Sequence, residues 1–431
     1  AARDLRWQVA ILVDLQGPKI RIEKFGEGSV ELESGDHFTL DADNPEVPGD
    51  RQRVGVSYAG LPNDVAAGDT LLLDDGMISL QVQSVHGGQV QCLVENGGTL
   101  SDRKGLNLQG GGLSIAGLAD HDFPNIKLAA EMGADFVAVS FVSNAADIEN
   151  ARELLREAGS EAALVAKIER MEAIENLSEI CDASDVIMVA RGDLGVEIGD
   201  EELPGLQKHI IRTAIRHNRI TATATQMMQS MIENPIPSRA EVLDVANAVL
   251  DGTDAVMLSA ETAIGNHPVK VIEALNRICL GAERHFEAEG GDGSHLNVRF
   301  ERIDQAIAMA AMFMATNVSV QAIVALTESG STAQWLSRVQ SSVPIFAFST
   351  NKASRRRMAI YRDVFPVKLT AECDDADAVV SDALRTLLAH GAVKENDRVL
   401  ITMGDQMCRS GGTNTLRFVR LDAEARDRYG I

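Results

Sequence analysis

The chain has 431 residues, 45% hydrophobic, 24% charged and only 4% aromatic, with a formal charge of −23 at pH 7. Its length is too great for one ordinary core, so two or three domains with aliphatic interiors are expected. The acidic balance, with a pI near 4.8, argues against general affinity for nucleic acid or anionic membranes, and no apolar run is long enough to span a bilayer.

The N-terminal AARDLRWQ reads as the tail of a helix and leads into a strand at 8–14 (QVAILVD) that ends in Asp14. Gly17 and Pro18 then set a sharp turn. From about 23 to 107 short alternating runs are broken by Gly, Asp and Asn, with a hairpin at Gly87-Gly88, which predicts a small all-β module. A strand at 136–141 and an amphipathic helix ending at Gly159 follow. Strand and helix then alternate, with strands at 163–169, 186–192, 220–227 and 255–261, as parallel strands joined by helices do. This gives six strands of barrel character, whereas a (β/α)₈ barrel needs eight. The other two are expected upstream of Ala1, and with them the natural N-terminus.

After about residue 298 a separate α/β unit is predicted. It has a helix at 303–317, strands AIVALTE, PIFAFST and VFPVKLT, a helix at 376–390, and strands RVLITMGD and LRFVRL. An open doubly wound layer of this kind takes ligands at strand C-terminal ends. There the loop Thr327, Glu328, Ser329, Gly330, Ser331, Thr332 has the composition of a phosphate loop, or of a simple helix cap. The expected domains are 1–22 with 108–298, 23–107, and 299–431. The five cysteines (Cys92, Cys181, Cys279, Cys373, Cys408) are scattered without a CxxC, as buried thiols of a reducing compartment are. The cytoplasm is therefore the expected location.

Charge is concentrated at the predicted strand tips. Lys167 and Glu169 lie two residues apart, on one face of a strand. Asp193 ends the next strand in ARGDLG, where Gly192 allows close backbone approach and the following residues open a short helix with free N–H groups. Glu169 and Asp193 are hard oxygen ligands suited to Mg²⁺, with remaining positions left to substrate and water. A lysine beside a carboxylate-held cation is what phosphoryl transfer needs, since that chemistry rests on positioning and charge neutralisation. Taken singly, each has a plainer reading: Lys167–Glu169 as a rim salt bridge, Thr225 as a helix cap, Arg21 as a surface residue, Asp75 as a turn residue.

These residues sit in stretches that resemble the pyruvate kinase family essentially end to end. The stretches are DLQGPKIR, KGLNL, VSF, AKIE, IMVARGDLGVEIG, SGGTNTLR and the long run from TATQMMQSM to MLSAETA; residues 186–263 are the most specific. The resemblance implies a (β/α)₈ barrel, a β-rich lid inserted after the third barrel strand and a C-terminal α/β domain. It also implies phosphoryl transfer from phosphoenolpyruvate to ADP, Mg²⁺ or Mn²⁺ as the metal, and a homotetramer. By matching positions, Lys167 stabilises the phosphoryl group in flight, and Glu169 and Asp193 bind the metal. Ala190, Arg191, Gly192 and Asp193 frame the substrate carboxylate, and Thr225 lies near the enolate carbon. Asp14, Arg21 and Lys104 face the nucleotide and cation side.

Four departures stand out. The Arg, Asn and Ser cluster of the family's second barrel strand has no counterpart here. Gln229 stands where Glu is common, and Ser143 where Arg is frequent. Many members also carry Thr-Lys-Gly-Pro-Glu and need potassium, whereas this chain reads Leu15-Gln16-Gly17-Pro18-Lys19. Lys19 then replaces a carboxylate with an ammonium in place of potassium, as in the potassium-independent group. Its plainer reading is a surface lysine on the lid hinge. Two other functions compete: a Mg²⁺ lyase or aldolase holding a pyruvate enolate, which needs no lid, and a non-catalytic regulatory homologue.

Overall fold

The computed structural model describes residues 8–115, 117–288, 300, 302–339, 341, 343–371, 375–405 and 411–431. They form two compact units, Val13–Arg219 with Thr223–Gln226, and Ala1–Leu12 with Ile220–Ala222 and Met227–Ile431.

In the first unit the strands Leu12–Asp14, Phe136–Val139, Ala163–Ile168 and Val186–Ala190 lie side by side in chain order. The last three pair in parallel, with Val139 opposite Ala166 and Lys167 opposite Met188. Phe136–Val139 and Val186–Ala190 are buried throughout, as strands of a parallel sheet covered on both faces are. The helix Ala145–Glu157 starts from a capping box between Asn144 and Asp147, which satisfies two otherwise orphaned N–H groups. Chain-order parallel strands with crossover helices are the barrel arrangement anticipated from the alternation.

The module between the first two of these strands is a six-stranded sheet with a two-stranded partner. The hairpin at Gly87-Gly88 joins Ile78–His86 to Gln89–Asn96. Phe38, Leu40, Leu71, Leu80 and Val90 fill its core, together with Ile20 and Ile22 from the segment leading into it. One turn of helix, Leu61–Asp64, interrupts the expected all-β character. Pro at its start supplies the φ that a first helical turn requires.

The second unit contains a five-stranded sheet in the order Val364–Lys368, Ile345–Ser349, Ala322–Leu326, Arg398–Gly404, Thr413–Arg420. The first four strands are parallel and the last is antiparallel, with an irregularity at Met403/Gly404. Along Ala322–Leu326, Ala322, Val324 and Leu326 face one core and Ile323 and Ala325 the other. Helix Ala376–Ala389 covers the first face and Ile303–Asn317 the second, which makes the layer doubly wound.

Two predicted strands shrink. The first is regular only over Leu12–Asp14, and the sixth only over Ala255–Val256. In the latter, Glu261 accepts from the backbone N–H groups of Met228 and Ser259. This draws the chain out of extension and into the turn Ala260–Ala263.

Candidate active site

The site begins at a close approach of two strand exits. Gly17 has φ +67°, and a Cβ there would lie 2.8 Å from Ser140 Cβ. Only glycine lets the chain leave Asp14 and turn against the tip Ser140-Phe141. Phe141 itself has φ +56°, unusual for a bulky side chain. That twist aims its N–H at Glu169 Oε2, 2.8 Å away. Ser140 donates its hydroxyl proton to Leu15 O at 2.7 Å.

Lys167 stands at the centre. Its ammonium lies 2.8 Å from Ser140 Oγ, 3.0 Å from Glu169 Oε1 and 3.4 Å from Asp14 Oδ1. Burial works against its charge, but Glu169 and Asp14 outweigh it and hold the group above its ordinary range. Glu169 is 2% exposed. Burial pushes its carboxyl up and the nearby Asp193 adds to this, opposed by Lys167 and the Phe141 N–H. Lys19 donates to Asp193 Oδ1 at 2.7 Å and lies 3.9 Å from Asp75. It is therefore no solvated hinge lysine but points at the predicted metal ligand.

The helix after strand Val186–Ala190 starts earlier than predicted: it spans Arg191–Ile198, so Asp193 lies in its first turn. The Gly192 N–H donates to Thr225 Oγ1 at 2.9 Å, and Arg191 Nη2 donates to Thr225 O at 2.7 Å. Thr225 and Gln226 have φ +65° and +54°, a strained backbone at a strand tip. The structure thus gathers Asp14, Lys19, Lys167, Glu169 and Asp193 into one charged network, and joins Thr225 to Arg191 and Gly192, next to Ala190. Arg21 and Lys104 are held by the β module instead. Arg21 pairs its backbone with Gly105 and gives its guanidinium to Arg103 O, and Lys104 pairs with Asp74 at 2.7 Å. Asp75 has φ +53°, as a turn residue does.

The donor set fits a divalent cation. Glu169 and Asp193 are hard carboxylates, and the charge on Asp193 adds to what disfavours the charge on Glu169, so added positive charge would relieve Glu169. Among the described residues no three His, Cys, Asp or Glu side chains are grouped to hold an ion alone, so a cation held by these two carboxylates would complete its shell with substrate and water.

Sequence reasoning passed over Ser140, Phe141 and Glu197. Glu197 is buried, accepts from Met171 N at 3.0 Å, and has its carboxyl pushed up to about 7 by burial. The signal available for Ser140 was its place at the end of a buried strand.

In the second unit, Thr327 Oγ1 accepts from Gly330 N, and Thr332 Oγ1 lies 2.7 Å from Thr413 Oγ1. Ser329 Oγ accepts from Ser331 N, Ser331 Oγ donates to Asp304, and Glu328 accepts from Thr350. The later glycine-rich stretch lies outside the described residues at 406–410.

With this geometry in place, comparison decides the family. Residues 1–272 match the pyruvate kinase barrel domain and residues 305–419 the pyruvate kinase alpha/beta domain. The chain belongs to the pyruvate kinase family. Pyruvate kinase II of Salmonella typhimurium is 49% identical over 425 residues, 98% of this chain and 88% of the relative. Pyruvate kinase of Haemophilus influenzae is 48% identical over 418 residues, 96% and 86% respectively. A crystal structure of a pyruvate kinase from Cryptosporidium parvum matches with TM-score 0.89 at 32% identity, covering 98% of this chain and 86% of that one. The reaction of this family is glycolytic phosphoryl transfer from phosphoenolpyruvate, giving pyruvate. The expected barrel with a C-terminal α/β domain, and the expected enzyme class, both hold.

Proposed function

We propose that the strand tips of the first unit carry this reaction through Lys167, Glu169 and Asp193, with Mg²⁺ as cofactor and Mn²⁺ as its substitute. The observation that carries the reading is the meeting of two carboxylates and two ammoniums, Lys167 with Glu169 and Lys19 with Asp193. In the reaction the bond between phosphorus and the enolate oxygen breaks, a bond to an ADP phosphate oxygen forms, and the enolate carbon takes up a proton. Lys167 meets the charge that spreads over the transferring group. Glu169 and Asp193 hold the metal, which when bound neutralises phosphate charge. Ala190, Arg191, Gly192 and Asp193 frame the substrate carboxylate, and Thr225 lies beside the enolate carbon. Asp14, Arg21 and Lys104 serve the nucleotide side, the latter two after exchanging their present partners.

Lys19 supplies the charge that potassium brings elsewhere in the family, so no potassium is required. Its 2.7 Å contact with Asp193 supports this. We further propose the division into a barrel (1–22 and 108–298), a lid (23–107) and a regulatory domain (299–431), a homotetramer, a cytoplasmic location, and a phosphate-bearing effector at 327–332. No described helix is long and apolar enough to cross a membrane. The test is a coupled assay of pyruvate release from phosphoenolpyruvate with and without ADP, on this chain and on one extended at its N-terminus. ADP-dependent release is expected. Release that is indifferent to ADP would favour the lyase reading, and none from either chain the regulatory one.

A further inference from the structure

Ser140 touches the site yet has no part in the reaction described above. It is 1% exposed at the tip of its strand. A serine hydroxyl has one proton and two lone pairs. The proton is committed to Leu15 O at 2.7 Å, so toward Lys167, 2.8 Å away, the oxygen can only accept. An ammonium has three N–H donors, and Lys167 has three acceptors: Ser140, Glu169 and Asp14. These contacts are unequal. The shortest goes to a buried neutral oxygen pinned between two strand exits. The longest, 3.4 Å, goes to Asp14, whose side chain is 45% exposed.

We infer that Ser140 is the positioning residue for Lys167. It anchors one N–H of a cation on a flexible four-carbon stem, so that the N–H now turned to Asp14 is the one released to a phosphoryl oxygen. Gly17 and Phe141 keep Ser140 in place, since any Cβ at 17 would collide with it and the φ of +56° at 141 sets the tip. The inference rests on the catalytic role proposed for Lys167.

The test is a double-mutant cycle in the full chain. Ser140→Ala should lower kcat about ten- to a hundredfold, the cost of a misplaced catalytic group, and leave KM for phosphoenolpyruvate within about threefold. In a Lys167→Met background the same change should alter kcat less than about twofold, because a residue acting through Lys167 has nothing left to position. Equal losses in both backgrounds, or a wild-type kcat in Ser140→Ala, would overturn the inference. Ser140→Cys replaces Ser140→Ala where the latter does not fold. A second readout needs no turnover. The ¹⁵N-labelled Lys167 ammonium should give a slowly exchanging signal in the wild type and lose it in Ser140→Ala. If wild type makes no pyruvate but this signal behaves as stated, the catalytic reading fails and the positioning contact stands. A signal that survives in Ser140→Ala refutes the contact whatever the activity.

Discussion

The strand tips of the first unit and the loop at 327–332 both stand at C-terminal ends of parallel strands, yet their polar groups are disposed differently. At the tips, three non-glycine residues (Phe141, Thr225, Gln226) hold positive φ, and the buried Glu169 and the partly buried Asp193 each pair with a lysine. At 327–332 the positive φ falls on Gly330, which bears it without strain, and the hydroxyls are paired internally. The first is a strained, charge-dense arrangement kept in place by surrounding packing, as sites of chemistry are. The second is a relaxed loop whose polar groups are already satisfied.

The largest test of that contrast removes a carboxylate. Glu169→Gln or Asp193→Asn should abolish Mg²⁺-dependent turnover, because either ligand alone leaves the ion mostly solvated. Near-normal rates in either variant at ordinary Mg²⁺ would show that the metal is held elsewhere. Next is Lys167→Met. A charge that acts on the phosphoryl in transit should cost on the order of 10²–10³ in kcat with less change in KM. A variant that lost only affinity would make Lys167 a binding residue.

A third test concerns the charge crowding itself. Burial, with Glu172 and Asp193 adding, holds the Glu197 carboxyl at about 7 against an ordinary 4.5. A raised carboxyl favours the folded state while protonated, so its stabilisation is complete below about pH 4.5 and is lost as pH rises through about 7. The difference amounts to about 3 kcal/mol. Urea unfolding of wild type and Glu197→Gln at pH 5 and pH 8 should show wild type losing about that much more stability. Parallel losses would place Glu197 in a wetter setting than its burial implies.

How far all this could be read from sequence depended on where the determinants lie. The strand tip at Lys167 and Glu169 was legible, because an apolar run ending in charge is a local pattern, whereas the helix that already begins at Arg191 and carries Asp193 was not. The helices at 303–317 and near 376–390 were also legible, from local periodicity. The shortened sixth strand was not, since Glu261 reaches back to Met228, a contact that spacing does not encode. Nor was the partner of Lys19, which lies 174 residues away. The pairing of Arg21 with Gly105 was likewise hidden, because only the folded β module brings the two together.

Lys19 provides the fourth test. Its ammonium sits on Asp193 with the side chain 22% exposed, so the positive charge is built into the tip. Turnover with Mg²⁺ should be essentially complete in sodium or tetramethylammonium buffer. Lys19→Glu should slow it and create a potassium requirement. A wild-type rate that rises more than roughly tenfold on adding potassium, about 1.4 kcal/mol of barrier, would mean that Lys19 does not replace the ion.

The smallest effect is expected on the relaxed side of the comparison. An effector at 327–332 must displace contacts already made, so its binding shifts an equilibrium rather than building a site, and about fivefold in the half-saturating phosphoenolpyruvate concentration is a reasonable scale. Glu328 lies in this loop with its carboxylate on Thr350. A second phosphate brought near it would be repelled, whereas a single phosphate could settle on the backbone N–H groups alone. A sugar monophosphate or AMP should therefore activate and fructose bisphosphate should not. Glu328→Lys should extend the response to the bisphosphate and leave the maximal rate unchanged, because no residue of the strand tips is altered. Strong activation of wild type by micromolar bisphosphate would refute the charge argument. Indifference to every phosphate ester would leave the loop as nothing more than the cap of helix Ser331–Ser337.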